Sequence, residues 1–109
     1  MQGQSREAIA QYQMAVDLDP TLVSAWANMG IEFLQTEQYP QAHYAFSRAI
    51  LLAPNDPVLH YNLGILAERV LRQPDQALYH YERFLALSPN DPDAPRVRKW
   101  IKPLLAEGA

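Results

Sequence analysis

Apolar residues along this 109-residue chain recur at intervals of three and four, the spacing that lines one face of an α-helix. Trp26, Met29, Gly30 and Phe33 make one stripe, and Ala42, Ala45, Phe46 and Ala49 make the next. No strand pair or hairpin turn is legible between them. The pattern predicts helices over about 5–18, 22–36, 40–53, 57–72, 75–88 and 93–106, an all-α chain.

Proline punctuates these helices. Pro20, Pro54 and Pro89 stand 34 and 35 residues apart, and each follows an apolar helical ending, at residues 15–19, 49–53 and 84–88. A proline just past a helix blocks its continuation. Asn55-Asp56-Pro57 and Asn90-Asp91-Pro92 then each offer a carboxylate cap and a proline at the first helical turn, where its missing N–H costs nothing. At the first junction Thr21 is the expected cap. Within each period, Gln38-Tyr39-Pro40 and Gln73-Pro74-Asp75 separate two helices.

The residues at these positions resemble the tetratricopeptide signature, Trp-x2-Leu-Gly-x2-Tyr, then Ala-x3-Phe, then Pro, on a period of about 34. Trp26-x2-Met29-Gly30-x2-Phe33, Ala42-x3-Phe46 and Pro54 fill its slots. A second copy reads His60-x2-Leu63-Gly64-x2-Ala67, Ala77-x3-Tyr81 and Pro89, with one extra residue between its helices. Ala8-x3-Tyr12 and Pro20 form a half copy before them. The resemblance implies a right-handed α-α superhelix of helix-turn-helix repeats in one domain over 1–109. Residues 5–20 would be a half repeat, 21–54 and 55–89 full repeats, and 90–109 a capping helix. In that helix Ala94, Val97, Ile101, Leu104 and Leu105 face inward and Arg98, Lys99 and Lys102 outward, while Pro103 loosens the last turn.

Gly30, Gly64, Ala42 and Ala77 let paired helices approach, and Trp26, Phe33, Phe46 and Tyr81 fill the space beside them. The second copy has Ala67 where the first has Phe33, and Phe84 where the first has Ala49. This reads as one ring moved from the first helix of the pair to the second.

Composition narrows the function. A net charge of −3 leaves no broad basic surface for nucleic acid. With no cysteine there is no disulfide, zinc-thiolate site or thiol nucleophile. No run reaches the roughly 20 apolar residues of a membrane span. The start, Met1-Gln2-Gly3-Gln4-Ser5-Arg6, lacks the order of a signal peptide, so the cytoplasm is the default compartment. Neither membrane nor nucleic acid is an expected partner.

Catalysis needs convergent groups, and none is legible. His43, His60 and His80 have no His, Asp or Glu three or four places beyond them, so no metal site is expected. Asp56, four before His60, reads as a helix cap. Asp17/Asp19 and Asp91/Asp93 are spaced by two, which points them apart on a helix. Glu68 and Arg72 have the spacing of an ion pair. No phosphate loop, nucleophile elbow or dinucleotide turn is present. Neither an enzyme nor a cofactor is expected.

What remains is surface. The resemblance implies a concave groove lined by the first helix of each pair, which takes extended peptides or partner helices. Its slots fall on Ala27, Asn28, Ile31, Leu34 and Gln35, then Tyr61, Asn62, Ile65, Glu68 and Arg69, then Arg96 and Trp100. Asn28 and Asn62 resemble asparagines that hold a peptide backbone in the family. Chaperone-binding members grip a C-terminal carboxylate with lysine and asparagine in the first slots, which here hold Ala27, Ile31, Tyr61 and Ile65. The pattern itself agrees: residues 57–71 are apolar nearly all round, with Tyr61 and Ile65 surplus to the internal stripe. A protein or peptide ligand is the expected partner, bound at roughly micromolar strength, by what is expected to be part of a larger scaffold. The alternative is self-association as a homodimer through the N-terminal helix, whose stripe Ala8, Ile9, Tyr12, Ala15 and Val16 lacks a preceding partner helix. An accessory domain of an enzyme is a third reading.

Overall fold

A computed structural model describes residues 2–108 of the chain; residues 1 and 109 lie outside it. Six helices follow one another among the described residues: α1 (Gln2–Leu18), α2 (Val23–Gln35), α3 (Tyr39–Leu52), α4 (Pro57–Arg69), α5 (Pro74–Leu87) and α6 (Ala94–Gly108). They fall into two compact units, Met1–Pro54 and Asn55–Ala109. In the first, α2 packs on α1 and α3; in the second, α5 packs on α4 and α6.

In the first unit α2 and α3 meet where the repeat pattern places a glycine. Phe46, fully buried, lies on Gly30 so closely that a Cβ there would come within 2.7 Å of its ring. Trp26, 7% exposed, donates its indole N–H to the Pro20 carbonyl at 2.8 Å. That bond ties the helix to the proline before it. Tyr44 meets Trp26 edge-on with centroids 5.9 Å apart, and the Arg48 guanidinium stands 5.8 Å from the indole centroid.

The second unit repeats the device with different groups. Tyr81, fully buried, lies on Gly64, where a Cβ would fall 2.5 Å from the ring. Ala67, Ala77, Tyr81, Phe84, Ala94, Val97 and Leu104 form one buried cluster. Ala67 and Phe84 thus share a core, as the exchange of ring between the two helices requires.

The helix ends depart from the expected ones for local reasons. The residues expected to extend α4 to 72 leave it at Arg69: Leu71 N–H turns back to the Leu66 carbonyl (3.0 Å), and Gln73 N–H to that of Ala67 (2.9 Å). Arg72 is left-handed at φ 56°, and Glu37 holds the matching role between α2 and α3 at φ 60°. Neither is a glycine, so the prolines mark these turns but no residue marks the left-handed position. Thr21 does not cap α2. Its N–H and hydroxyl bond instead to Asp19 Oδ1, at 3.0 and 2.6 Å, and hold that carboxyl below the usual carboxylate range. Asp56 does cap α4, accepting from Val58 N–H at 2.9 Å. Asp91 accepts from Asp93 N–H at 2.8 Å, and α6 starts one residue later, two past Pro92. The last helix continues through Pro103.

Candidate functional site

The expected groove residues are placed unit by unit. On α2, Ala27, Ile31 and Leu34 are half-buried and Asn28 and Gln35 are exposed. This stripe lies about 100° around the helix from Trp26, Met29 and Phe33, since each residue turns the chain by that angle. The latter three floor a cleft of about 630 Å³ whose rim includes Pro20, Pro40 and Tyr44. The repeat pattern assigns Trp26 and Phe33 to packing, and nothing in it marks an opening beside them.

On the other unit, α4 and α6 face each other through side chains. Tyr61, Ile65 and Trp100 are half-buried against the internal cluster. Tyr61 lies 5.3 Å from the Phe84 ring and 6.0 Å from that of Trp100, and its hydroxyl accepts from Arg96 Nη2 at 3.1 Å. Tyr81 supports Trp100 from below at 5.6 Å. Two guanidinium groups attend the indole, Arg69 at 4.7 Å and Arg96 at 5.5 Å from the centroid. The quadrupole of the ring favours such cations, by about 0.5–1 kcal/mol each at exposed sites. Tyr61 and Ile65 are therefore packed on one side and open on the other.

Two expected roles change, those of Glu68 and Val16, and Asn62 is partly engaged. Glu68 forms no ion pair with Arg72; its Oε1 accepts the Tyr81 hydroxyl at 2.7 Å, and Arg72 has left the helix that would have aligned the two. Burial, and then this bond, push the Tyr81 phenol well above its ordinary value of 10.0. Asn62 turns its amide back to the Val58 carbonyl (3.1 Å), so one of its two amide hydrogens is spent within α4. On α1, Val16 is buried at 3% exposure and Ala8, Ile9, Tyr12 and Ala15 are half-buried. Val16 thus belongs to the core rather than to a free stripe, because α2 packs on α1. The exposed large apolar residues of that helix, among the described residues, are Met14 and Leu18, at 65% and 87%.

One pairing was invisible to spacing along a single helix. His60 on α4, 2% exposed, and His80 on α5 bring their Nδ1 atoms to 3.0 Å. One nitrogen donates and the other accepts, so that contact holds a single hydrogen. Among the described residues no three His, Cys, Asp or Glu side chains are grouped to hold a metal. Nor is any helix long and apolar enough to cross a membrane.

These features define a class: short antiparallel helix pairs in which a glycine of the first helix seats a ring of the second. No family model matches the chain. The tetratricopeptide repeat domain-containing protein PYG7, chloroplastic, of Arabidopsis thaliana is 38% identical over 64 residues, 59% of this chain and 21% of that protein. The chain thus spans about a fifth of that relative's length. Among solved structures, the Arabidopsis OM64 TPR domain superposes with a TM-score of 0.82 at 21% identity, covering 93% of this chain and 83% of that one. PcrH, in complex with the chaperone binding region of PopD, gives 0.83 at 20% identity, over 98% and 83%. The chain is similar to tetratricopeptide-repeat proteins in part of its sequence and in its fold, and its fold class is the all-α one that the repeat signature implied.

Proposed function

We propose that the chain is a protein-binding module that holds a peptide or partner helix, as one segment of a larger scaffold. The observation that carries this reading is the half-open apolar surface of Tyr61, Ile65 and Trp100 between α4 and α6. Ala27, Ile31 and Leu34 give α2 a face of similar character in the other unit. Apolar side chains held half in solvent lose water without further ordering when a partner covers them, at about 1.5–3 kcal/mol for each full burial. PcrH, at similar fold, is seen with a region of PopD, which supports a polypeptide as the ligand.

The test is capture of partners by the wild-type chain and by an Ile31→Glu/Ile65→Glu variant whose helical circular dichroism is intact. Partners held by the first and lost by the second are the expected result. Recovery of the same partners by both overturns the reading. Self-association is the second reading, favoured by the exposure of Met14 and Leu18 on α1. Light scattering on the same samples decides it: a dimer made monomeric by Leu18→Glu is required, and a monomeric wild type removes it. Leu18 serves better than Tyr12, whose half-buried ring also supports the fold.

A further inference from the structure

The two arginines around Trp100 are not equivalent. Arg96 is engaged, its Nη2 donating to Asp93 Oδ1 and to the Tyr61 hydroxyl. Arg69 is exposed, stands over the indole at 4.7 Å, and makes no hydrogen bond or ion pair among the described residues. Among the described residues no carboxylate lies within ion-pair distance of Arg69; Asp93 is paired with Arg96, and the neighbouring Glu68 turns Oε1 to the Tyr81 hydroxyl. Arg72, exposed in the turn after α4, has no ion pair either. Unneutralised positive charge therefore borders the apolar surface of Ile65, Tyr61 and Trp100.

Building on the partner-binding reading of this surface, we propose that its occupant is an extended segment of another protein carrying an internal acidic side chain. That carboxylate sits on Arg69, and an apolar side chain of the same segment sits on Ile65. The geometry sets the spacing between them. Ile65 and Arg69 are one helical turn apart, about 6 Å along the axis. An extended chain advances about 3.3 Å per residue, with alternate side chains on one face. The apolar and acidic residues therefore stand about two positions apart and point the same way. A guanidinium offers a carboxylate two parallel N–H bonds, and stacking on Trp100 already restricts Arg69, so less freedom is lost on binding.

The test uses the intact chain to select from short random peptides displayed between flanking domains, so that neither peptide end is free. The wild type should enrich Asp or Glu about two residues from an apolar side chain. A selected peptide should bind roughly tenfold or more weakly to Arg69→Gln, and more weakly to the wild type as salt rises. Arg69→Glu should turn the selection towards Lys and Arg. Enrichment of apolar residues without acid, or acid enrichment that survives in Arg69→Glu, overturns the acidic partner and leaves the surface standing. Acid selected only from a library with free C-termini overturns the internal carboxylate. A wild type that enriches nothing, or an Ile65→Glu variant that selects as the wild type does, removes the surface and the proposal together.

Discussion

The α2–α3 pair of the first unit and the α4–α5 pair of the second use one backbone device and fill it with opposite chemistry. In each, a glycine seats a fully buried ring, Phe46 on Gly30 and Tyr81 on Gly64. Around that contact the first pair is anchored by an indole N–H to a backbone carbonyl and leaves Phe33 half-buried at the edge of an open cleft. The second closes over Phe84 and spends a phenol on Glu68 and a histidine on His80. A repeat constrains where helices touch; what fills the space between contacts is free to vary. That freedom gives the second unit a closed core beneath its charged face.

The largest effect should come from emptying that core. Phe84 is 3% exposed and touches Tyr61, so Phe84→Ala should destabilise the chain by about 3–5 kcal/mol in urea unfolding, the range for a buried ring. It should also loosen Tyr61 at the partner surface. Phe33→Ala, at a half-buried position beside the cleft, should cost under about 2 kcal/mol. Equal losses at the two positions would mean that Phe33 is packed as fully as Phe84 and that the two units do not differ in closure.

A smaller effect should separate the two glycines. Alanine favours a helix interior over glycine by about 1 kcal/mol, but a Cβ at either site would strike a buried ring, and overpacking costs about 1–3 kcal/mol. At Gly30 the ring is Phe46, which has no polar tether and can shift. At Gly64 the Cβ would come closer, 2.5 Å, and Tyr81 is held through its hydroxyl to Glu68. Gly64→Ala should therefore lose about 1–2 kcal/mol while Gly30→Ala stays within about 1 kcal/mol of wild type. The reverse order in thermal or urea unfolding would show that the hydroxyl bond does not fix the ring.

The fold was legible because apolar period, small residues and prolines all report backbone contacts. Ala42, Ala77, Phe46 and Tyr81 stand where the pattern placed them, all fully buried. Ile31 and Ile65 are half-open on their helices, as a surplus stripe implies. What escaped depends on groups that meet across helices. His60 and His80 are twenty residues apart on different elements, and Glu68 prefers a phenol thirteen residues on to the arginine one turn away. The α4 end was misread because left-handed turns usually carry glycine, whereas Glu37 and Arg72 adopt that conformation here. Arg69 and Arg96 both fall on groove slots in the repeat pattern; only their partners in the structure distinguish them.

The smallest effect at neutral pH belongs to Tyr81→Phe, which restores to the second pair the apolar ring of the first. Removing the hydroxyl deprives Glu68 of one donor, and half-buried Glu68 keeps some access to water, so the loss should be about 1 kcal/mol or less. The informative axis is alkaline pH. Burial and the bond to Glu68 raise the folded phenol above its ordinary 10.0, whereas the unfolded phenol ionises near that value. The unfolded state then releases a proton that the folded state retains. The stability linked to Tyr81 is therefore complete below pH 10 and falls as pH rises through 10 towards the raised folded value. In urea titrations across that range the wild type should lose stability more steeply than Tyr81→Phe, by up to about 1.4 kcal/mol per pH unit for one proton. Parallel curves would mean that base reaches the Tyr81 hydroxyl in the folded chain. The polar seal that distinguishes the second helix pair from the first would then be open.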